Sequence, residues 1–153
     1  YEIVFGGLEF RRVLFRSVIK DGMDISLCKL DTETMKLEFS GAVNSLYYIR
    51  DERIEELKGN RYSIGSREEN ALFTDVEIEV KKGDTFYMFS DGYADQFGGS
   101  NGQKLKYTRF RHYLLSVYQL PFDAQRKFLL ESFVKWKGSH DQVDDVMVVG
   151  FRV

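Results

Sequence analysis

The chain has 153 residues, 43% of them apolar and 30% charged, a length and composition that suit one folded domain with a real core and exclude a disordered segment. A formal charge of −2 argues against a general nucleic-acid binder. Its single cysteine, Cys28, cannot form an internal disulfide, so a reducing, cytoplasmic setting is the default. No apolar run reaches the ~20 residues that span a bilayer, so this segment is read as making no membrane contact.

The chain opens on Tyr1 rather than Met, which predicts a fragment, N-terminally truncated. The motif VLFRS within Arg11–Ser17 matches what the end of a short-read sequencing adapter encodes in one frame. Residues 1–17 are therefore read as a non-native or adapter-derived segment and 18–153 as the domain. The other reading of 1–17 is a native amphipathic segment.

From Val18 the pattern is regular. DISLCKL (Asp24–Leu30) reads as a strand with Ile25, Leu27 and Leu30 as inward candidates. DTET turns the chain. MKLEFSG alternates Met35, Leu37 and Phe39 with Lys36, Glu38 and Ser40, the signature of a half-buried strand. SLYYIR and RIEELK continue an antiparallel meander. DVEIEV alternates again, KKGD turns, and TFYMFS is apolar enough to be buried on both faces.

After a glycine-rich loop the period changes. Phe110, Tyr113, Leu114, Val117 and Tyr118 make a helical stripe, which the only proline, Pro121, ends. FDAQRKFLLESFVKWKG gives a second helix, with Asp123 at its N-cap or in its first turn and Gly138 just past its end. DVMVVGFRV closes the chain as an apolar strand. The fold class is α+β, with helices packed on a largely antiparallel sheet.

Two carboxylates stand out. Asp91 follows the buried strand TFYMF and precedes Gly92, and Asp144 and Asp145 precede the last strand. If those strands are antiparallel neighbours, Asp91 and Asp144 meet at one sheet end. Close, unpaired carboxylates repel unless a cation joins them, and hard divalent ions such as Mg²⁺ or Mn²⁺ take such oxygen ligands. Trp136 reads as a packing anchor, Cys28 as a small buried hydrophobe, His112 as a helix-surface residue and His140 as loop polarity. No P-loop, zinc-type Cys/His spacing or Gly-x-Ser-x-Gly elbow occurs.

Four motifs in series, DGMDISLCKLD, FSGAVNSLYYIR, SDGYADQFGG and HDQVDDVMVVGFRV, resemble the C-terminal part of a SpoIIE-type serine phosphatase domain. This is the bacterial branch of the PP2C-like, metal-dependent (PPM) protein phosphatases. The resemblance implies a β-sandwich flanked by helices, two Mn²⁺ or Mg²⁺ ions at one sandwich end, and attack of a metal-bridging hydroxide on phosphoserine or phosphothreonine. It implies that Asp91 and Asp144 are metal ligands, acting catalytically through metal-bound water. Gly92 and Asp145 fall beside them. Asp95 matches a supporting position or an additional, weaker metal ligand, and Gly22 and Asp24 fall in a stretch near the catalytic end. GAVN departs from the family's Gly-Ala-Asn-Asn, with Val43 in place of a polar residue. The family's Asp followed by Gly-His-Gly does not occur, because the two histidines, His112 and His140, lie elsewhere. The implied partners are a phosphorylated regulatory protein, such as an anti-sigma-factor antagonist, and an upstream sensor domain in the parent. The alternative is a non-catalytic, phosphatase-like regulatory or interaction domain.

Overall fold

The computed structural model describes residues 22–65 and 72–153. The segment 1–17, with its predicted foreign origin, lies outside the described residues.

Three layers build the domain. The first is a sheet of order β1-β2-β5, from β1 (Ile25–Asp31), β2 (Lys36–Ala42) and β5 (Asp75–Glu79). The second is a sheet of order β4-β3-β6-β9, from β4 (Arg53–Leu57), β3 (Leu46–Arg50), β6 (Thr85–Phe89) and β9 (Val148–Arg152). Every pairing in both sheets is antiparallel. Helices make the third layer: a single turn, α1 (Gly92–Asp95), then α2 (Lys106–Val117) and α3 (Phe122–Lys137). A small hairpin of β7 (Phe97–Gly98) and β8 (Gln103–Lys104) lies between α1 and α2. The α+β reading, largely antiparallel sheets flanked by helices, holds.

Strand β6 explains the arrangement. Alternate side chains point to opposite faces of a strand. Phe86 and Met88 enter the core between the two sheets, with Leu37, Phe39, Leu46 and Val80. Tyr87 and Phe89 enter the second core, against Tyr93, Phe110, Leu114, Leu129 and Phe133 of the helices. A strand covered on both sides must read as a continuous apolar run, as TFYMF does. The helix-side core includes one buried polar pair: the Tyr87 hydroxyl donates to Gln125 Oε1 at 2.7 Å.

One strand's phase differs from the sequence expectation. Leu27 is 63% exposed. The β1–β2 register sets Cys28 opposite Phe39 and Leu30 opposite Leu37, while Leu27 faces Ser40. Phe39 and Leu37 are the inward residues of β2, so the partners across from them are inward too. Cys28 is therefore half-buried, and burial pushes its thiol up to about 11. Of the three inward candidates, Leu30 is the one that joins the inter-sheet core.

The helices keep their predicted stripe. Phe110, Leu114 and Val117 are buried, and Tyr113 and Tyr118 pack against the core edge. Pro121 sits at the N-cap of α3, three residues past the cap of α2, and Asp123 lies in the first turn of α3. Gly138 caps α3 with φ 56°, and its N–H donates to Val134 O at 3.0 Å.

Candidate functional site

The site forms where β6 ends and β9 begins. The ladder pairs Phe89 with Val148 and then continues beyond both strands. The Ser90 N–H donates to Met147 O at 3.0 Å, and the Met147 N–H donates back to Ser90 Oγ at 2.9 Å. The same hydroxyl donates to Asp145 O at 2.7 Å. Ser90 thus staples the chain before Asp91 to the stretch after Asp144.

Gly92 completes this approach. A Cβ placed there would lie 2.4 Å from Asp145 O and 3.0 Å from Asp145 C. Only a residue without a side chain lets the start of α1 pass so close to the Asp145 backbone. The turn of α1 then carries Asp95 back beside Asp91, with the Asp95 N–H donating to Asp91 O at 2.9 Å.

Burial pushes the Asp91 carboxyl up, and Asp144, Asp95 and Asp24 each add to the rise by repulsion. Three further carboxylates thus act on Asp91 at this sheet end. Asp24 is held there by the Ser63 hydroxyl, which donates to its Oδ1. The bridge Met23–Ile64 fixes that edge, and Gly22 packs so closely on Ser63 that a Cβ would lie 2.6 Å from Ser63 Cβ. Asp144 Oδ1 accepts from the Asp145 N–H at 2.7 Å. The Asp145 side chain lies on the exposed surface, so its backbone, not its carboxylate, makes the recorded contacts to Ser90 and Gly92.

Asp91 and Asp95 line a cleft of about 310 Å³ together with Asn44, Ser45, Tyr107 and Arg111. Burial, and then repulsion by Asp91 and Asp95, pushes the Tyr107 hydroxyl up to about 12. Arg111 donates to Glu56 Oε2 at 2.5 Å and lies 4.6 Å above the Tyr47 ring, so α2 is tied to β4 and β3 along this wall. Val43, which stands where the resemblance implies a polar residue, also lines the cleft, with φ 66°, a costly conformation for a β-branched residue.

The donor chemistry around Asp91 fits a hard divalent ion: Asp144, Asp95 and Asp24 bring carboxylate oxygens, and the repulsion they exert on Asp91 is what such an ion would relieve. Among the described residues, no three His, Cys, Asp or Glu side chains converge closely enough to enclose a metal ion by themselves. His112 is exposed on α2, and His140 is exposed after α3, with its Nδ1 3.1 Å from Lys137 O. Trp136 is a packing anchor: its ring N–H donates to Gln96 O at 2.9 Å, and Arg109 lies 4.1 Å over the ring.

Sequence reasoning missed Ser90, Tyr107, Arg111 and the Asp95–Lys104 ion pair at 2.7 Å. A polar residue directly after a buried strand and before Asp was the available signal for Ser90. Tyr107 and Arg111 carry none, because each is one more polar-edged position on an amphipathic helix.

The family model described as "Stage II sporulation protein E (SpoIIE)" matches residues 10–153. Among solved structures, the SiaA-PP2C domain of Pseudomonas aeruginosa is 32% identical with a TM-score of 0.80, covering 85% of this chain and 51% of that one. A structure of the PP2C phosphatase domain, with a fragment of the regulatory domain, of SpoIIE from Bacillus subtilis is 18% identical with a TM-score of 0.68, covering 85% and 37%. The catalytic domain of the serine/threonine protein phosphatase PstP, in complex with two manganese ions, is 16% identical with a TM-score of 0.58, covering 84% and 57%. The last two likenesses concern the fold. The chain spans 51%, 37% and 57% of the length of these three solved relatives. No curated protein matches it. Among the described residues, no helix is long and apolar enough to cross a membrane.

Proposed function

The chain belongs to the SpoIIE family of PP2C-like phosphatase domains, and from that premise we propose that it is the C-terminal part of a metal-dependent phosphoserine/phosphothreonine phosphatase domain. Its proposed substrate is a phosphorylated bacterial regulatory protein of the anti-sigma-factor-antagonist class, under the control of a sensor domain elsewhere in the parent. The observation that carries the reading is the gathering of Asp91 with Asp144, Asp95 and Asp24 at one sheet end.

Asp91 and Asp144 are the proposed ligands for Mn²⁺ or Mg²⁺. When bound, such ions activate water, orient a phosphoryl group and neutralise developing charge. The chain's own part is positional. Ser90 and Gly92 hold the Asp91 segment against the Asp145 backbone. The cleft beside Asp91 offers Asn44, Ser45, Tyr107 and the clamped guanidinium of Arg111 to whatever flanks the phosphorylated residue. Asp145 and Asp95 support the ligands from either side.

A non-catalytic reading has one observation in its favour: the chain contains no Gly-His-Gly and so lacks the aspartate that accompanies it in the family. Two carboxylates offset only half the charge of two divalent ions. The proposal is therefore that this chain alone turns over phosphoserine negligibly, whereas its parent is active. The test is hydrolysis of p-nitrophenyl phosphate and of a phosphoserine peptide by the full-length gene product. Activity that requires Mn²⁺ or Mg²⁺ and collapses in Asp91→Asn and Asp144→Asn supports the reading. A metal-replete parent without activity leaves the regulatory reading standing.

A further inference from the structure

Asp95 already has a cation. Lys104 Nζ lies 2.7 Å from Asp95 Oδ2. Lys104 belongs to β8, and its β7 partner across the hairpin is Phe97, over whose ring the ammonium also sits, 6.0 Å from the centroid. Two contacts thus hold the ammonium in one place. Asp95 itself stands one helical turn after Asp91, and both line the same cleft. The other acidic members of the group are satisfied differently: Asp24 by the Ser63 hydroxyl and Asp144 by the Asp145 N–H. Among the described residues, Lys104 is the cation recorded in an ion pair with a member of this group.

We infer that Lys104 is a built-in counter-ion that holds Asp95 out of divalent-ion coordination and sets how tightly the Asp91–Asp144 site takes Mn²⁺ or Mg²⁺. The inference rests on the metal-centre reading above. Its logic is competition. An ammonium is a compact point charge that satisfies one carboxylate, whereas a divalent ion needs several oxygen donors at once. With Lys104 in place, Asp95 spends its charge locally and a positive group faces any incoming ion. Without it, the repulsion between Lys104 and the ion vanishes and Asp95 is released as one more oxygen donor. A unit charge within about two ion-pair lengths of a divalent ion in a water-like medium changes affinity on the order of 5- to 10-fold at low salt. Screening should shrink that factor at high salt.

Lys104 is half exposed, so its variants should fold. The experiment is calorimetric titration of Mn²⁺ alone into this chain and its variants at low salt. Lys104→Gln should tighten Mn²⁺ binding on the order of 5- to 10-fold, Lys104→Arg should stay near wild type, and the gain should disappear in Lys104→Gln/Asp95→Asn. In 0.5 M KCl the gain should fall to less than half. Unchanged or weaker binding in Lys104→Gln, with binding still lost in Asp91→Asn, overturns this inference and leaves the site reading intact. A gain that survives in the double variant also overturns it. No Mn²⁺ binding by any of the proteins, or binding undiminished in Asp91→Asn, overturns both.

Discussion

Gly92→Ala sets two physical rules against each other. In a helix, replacing Gly by Ala gains up to about 1 kcal/mol. Gly92 is the first residue of a four-residue turn, so only a few tenths of that gain apply here. Against it stands the approach to Asp145. A new Cβ would lie 2.4 Å from Asp145 O, where an ordinary carbon–oxygen contact is about 3.3 Å. One backbone must retreat by about 1 Å, and what resists is the Ser90 staple, three hydrogen bonds spanning Ser90, Asp145 and Met147. Such overpacking costs about 1–3 kcal/mol, and each bond lost costs about 1 kcal/mol. The net expectation is destabilisation by about 2 kcal/mol, which for a domain of this size lowers Tm by about 4–8 °C. Thermal melting of the metal-free chain, followed by circular dichroism, measures this. Mn²⁺ titration of the same variant should show weakened binding, because the retreat separates Asp91 from Asp144. A variant that melts at or above wild type would show that helix propensity governs the position, and the close approach argument would fail.

Two further outcomes follow from charge. The Asp91 carboxyl is raised, so the folded chain holds its proton more tightly than the unfolded chain does; its contribution to stability is full below the ordinary carboxylate range and is lost as pH rises through the raised value. Metal-free Asp91→Asn should therefore be slightly more stable than wild type at pH 7, with the difference vanishing once the pH falls below the ordinary carboxylate range; saturating Mn²⁺ should reverse the order at pH 7. At the opposite end of β6, Asp84 is 2% exposed and accepts from Arg50 Nε at 2.9 Å and from the Lys81 N–H at 2.8 Å. Arg50→Gln strands that carboxylate and should cost about 3–5 kcal/mol in urea unfolding while leaving Mn²⁺ affinity unchanged, because the pair stands a full strand away from Asp91.

The strands and long helices were legible because their burial follows a period. Met35, Leu37 and Phe39 announce β2 by alternation, and Phe110, Leu114 and Val117 announce α2 by spacing. β1 carried two competing phases, with Ile25 and Leu27 in one and Cys28 and Leu30 in the other. Apolarity alone could not choose between them. The choice was made by pairing with Phe39 and Leu37, an interaction between strands that no single strand encodes. The short turn α1 was hidden for a related reason: four residues hold barely one helical turn, too few for a period to appear, and Gly92 there serves an approach to Asp145 rather than a loop.

The site shows the same division between local and distant information. Asp91 and Asp144 could be brought together from sequence because each adjoins a strand, and one topological premise, antiparallel neighbours, does the rest; the β6–β9 ladder meets it. Lys104, Tyr107 and Arg111 reach the site from a hairpin and a helix whose placement depends on the second core. That core is built from Phe89, Tyr93 and Phe110, whose rings meet at 4.7–5.2 Å, directly behind Asp91. The Asp91 segment therefore adjoins an aromatic part of the helix-side core, and a packed scaffold resists the spreading that would relieve its repulsion. A looser support would let Asp91 and its neighbours move apart, and the site would then have little reason to recruit a cation. In the proposed site, packing behind Asp91 and charge in front of it act together, so the aromatic cluster of Phe89, Tyr93 and Phe110 belongs to the same proposal as the aspartates.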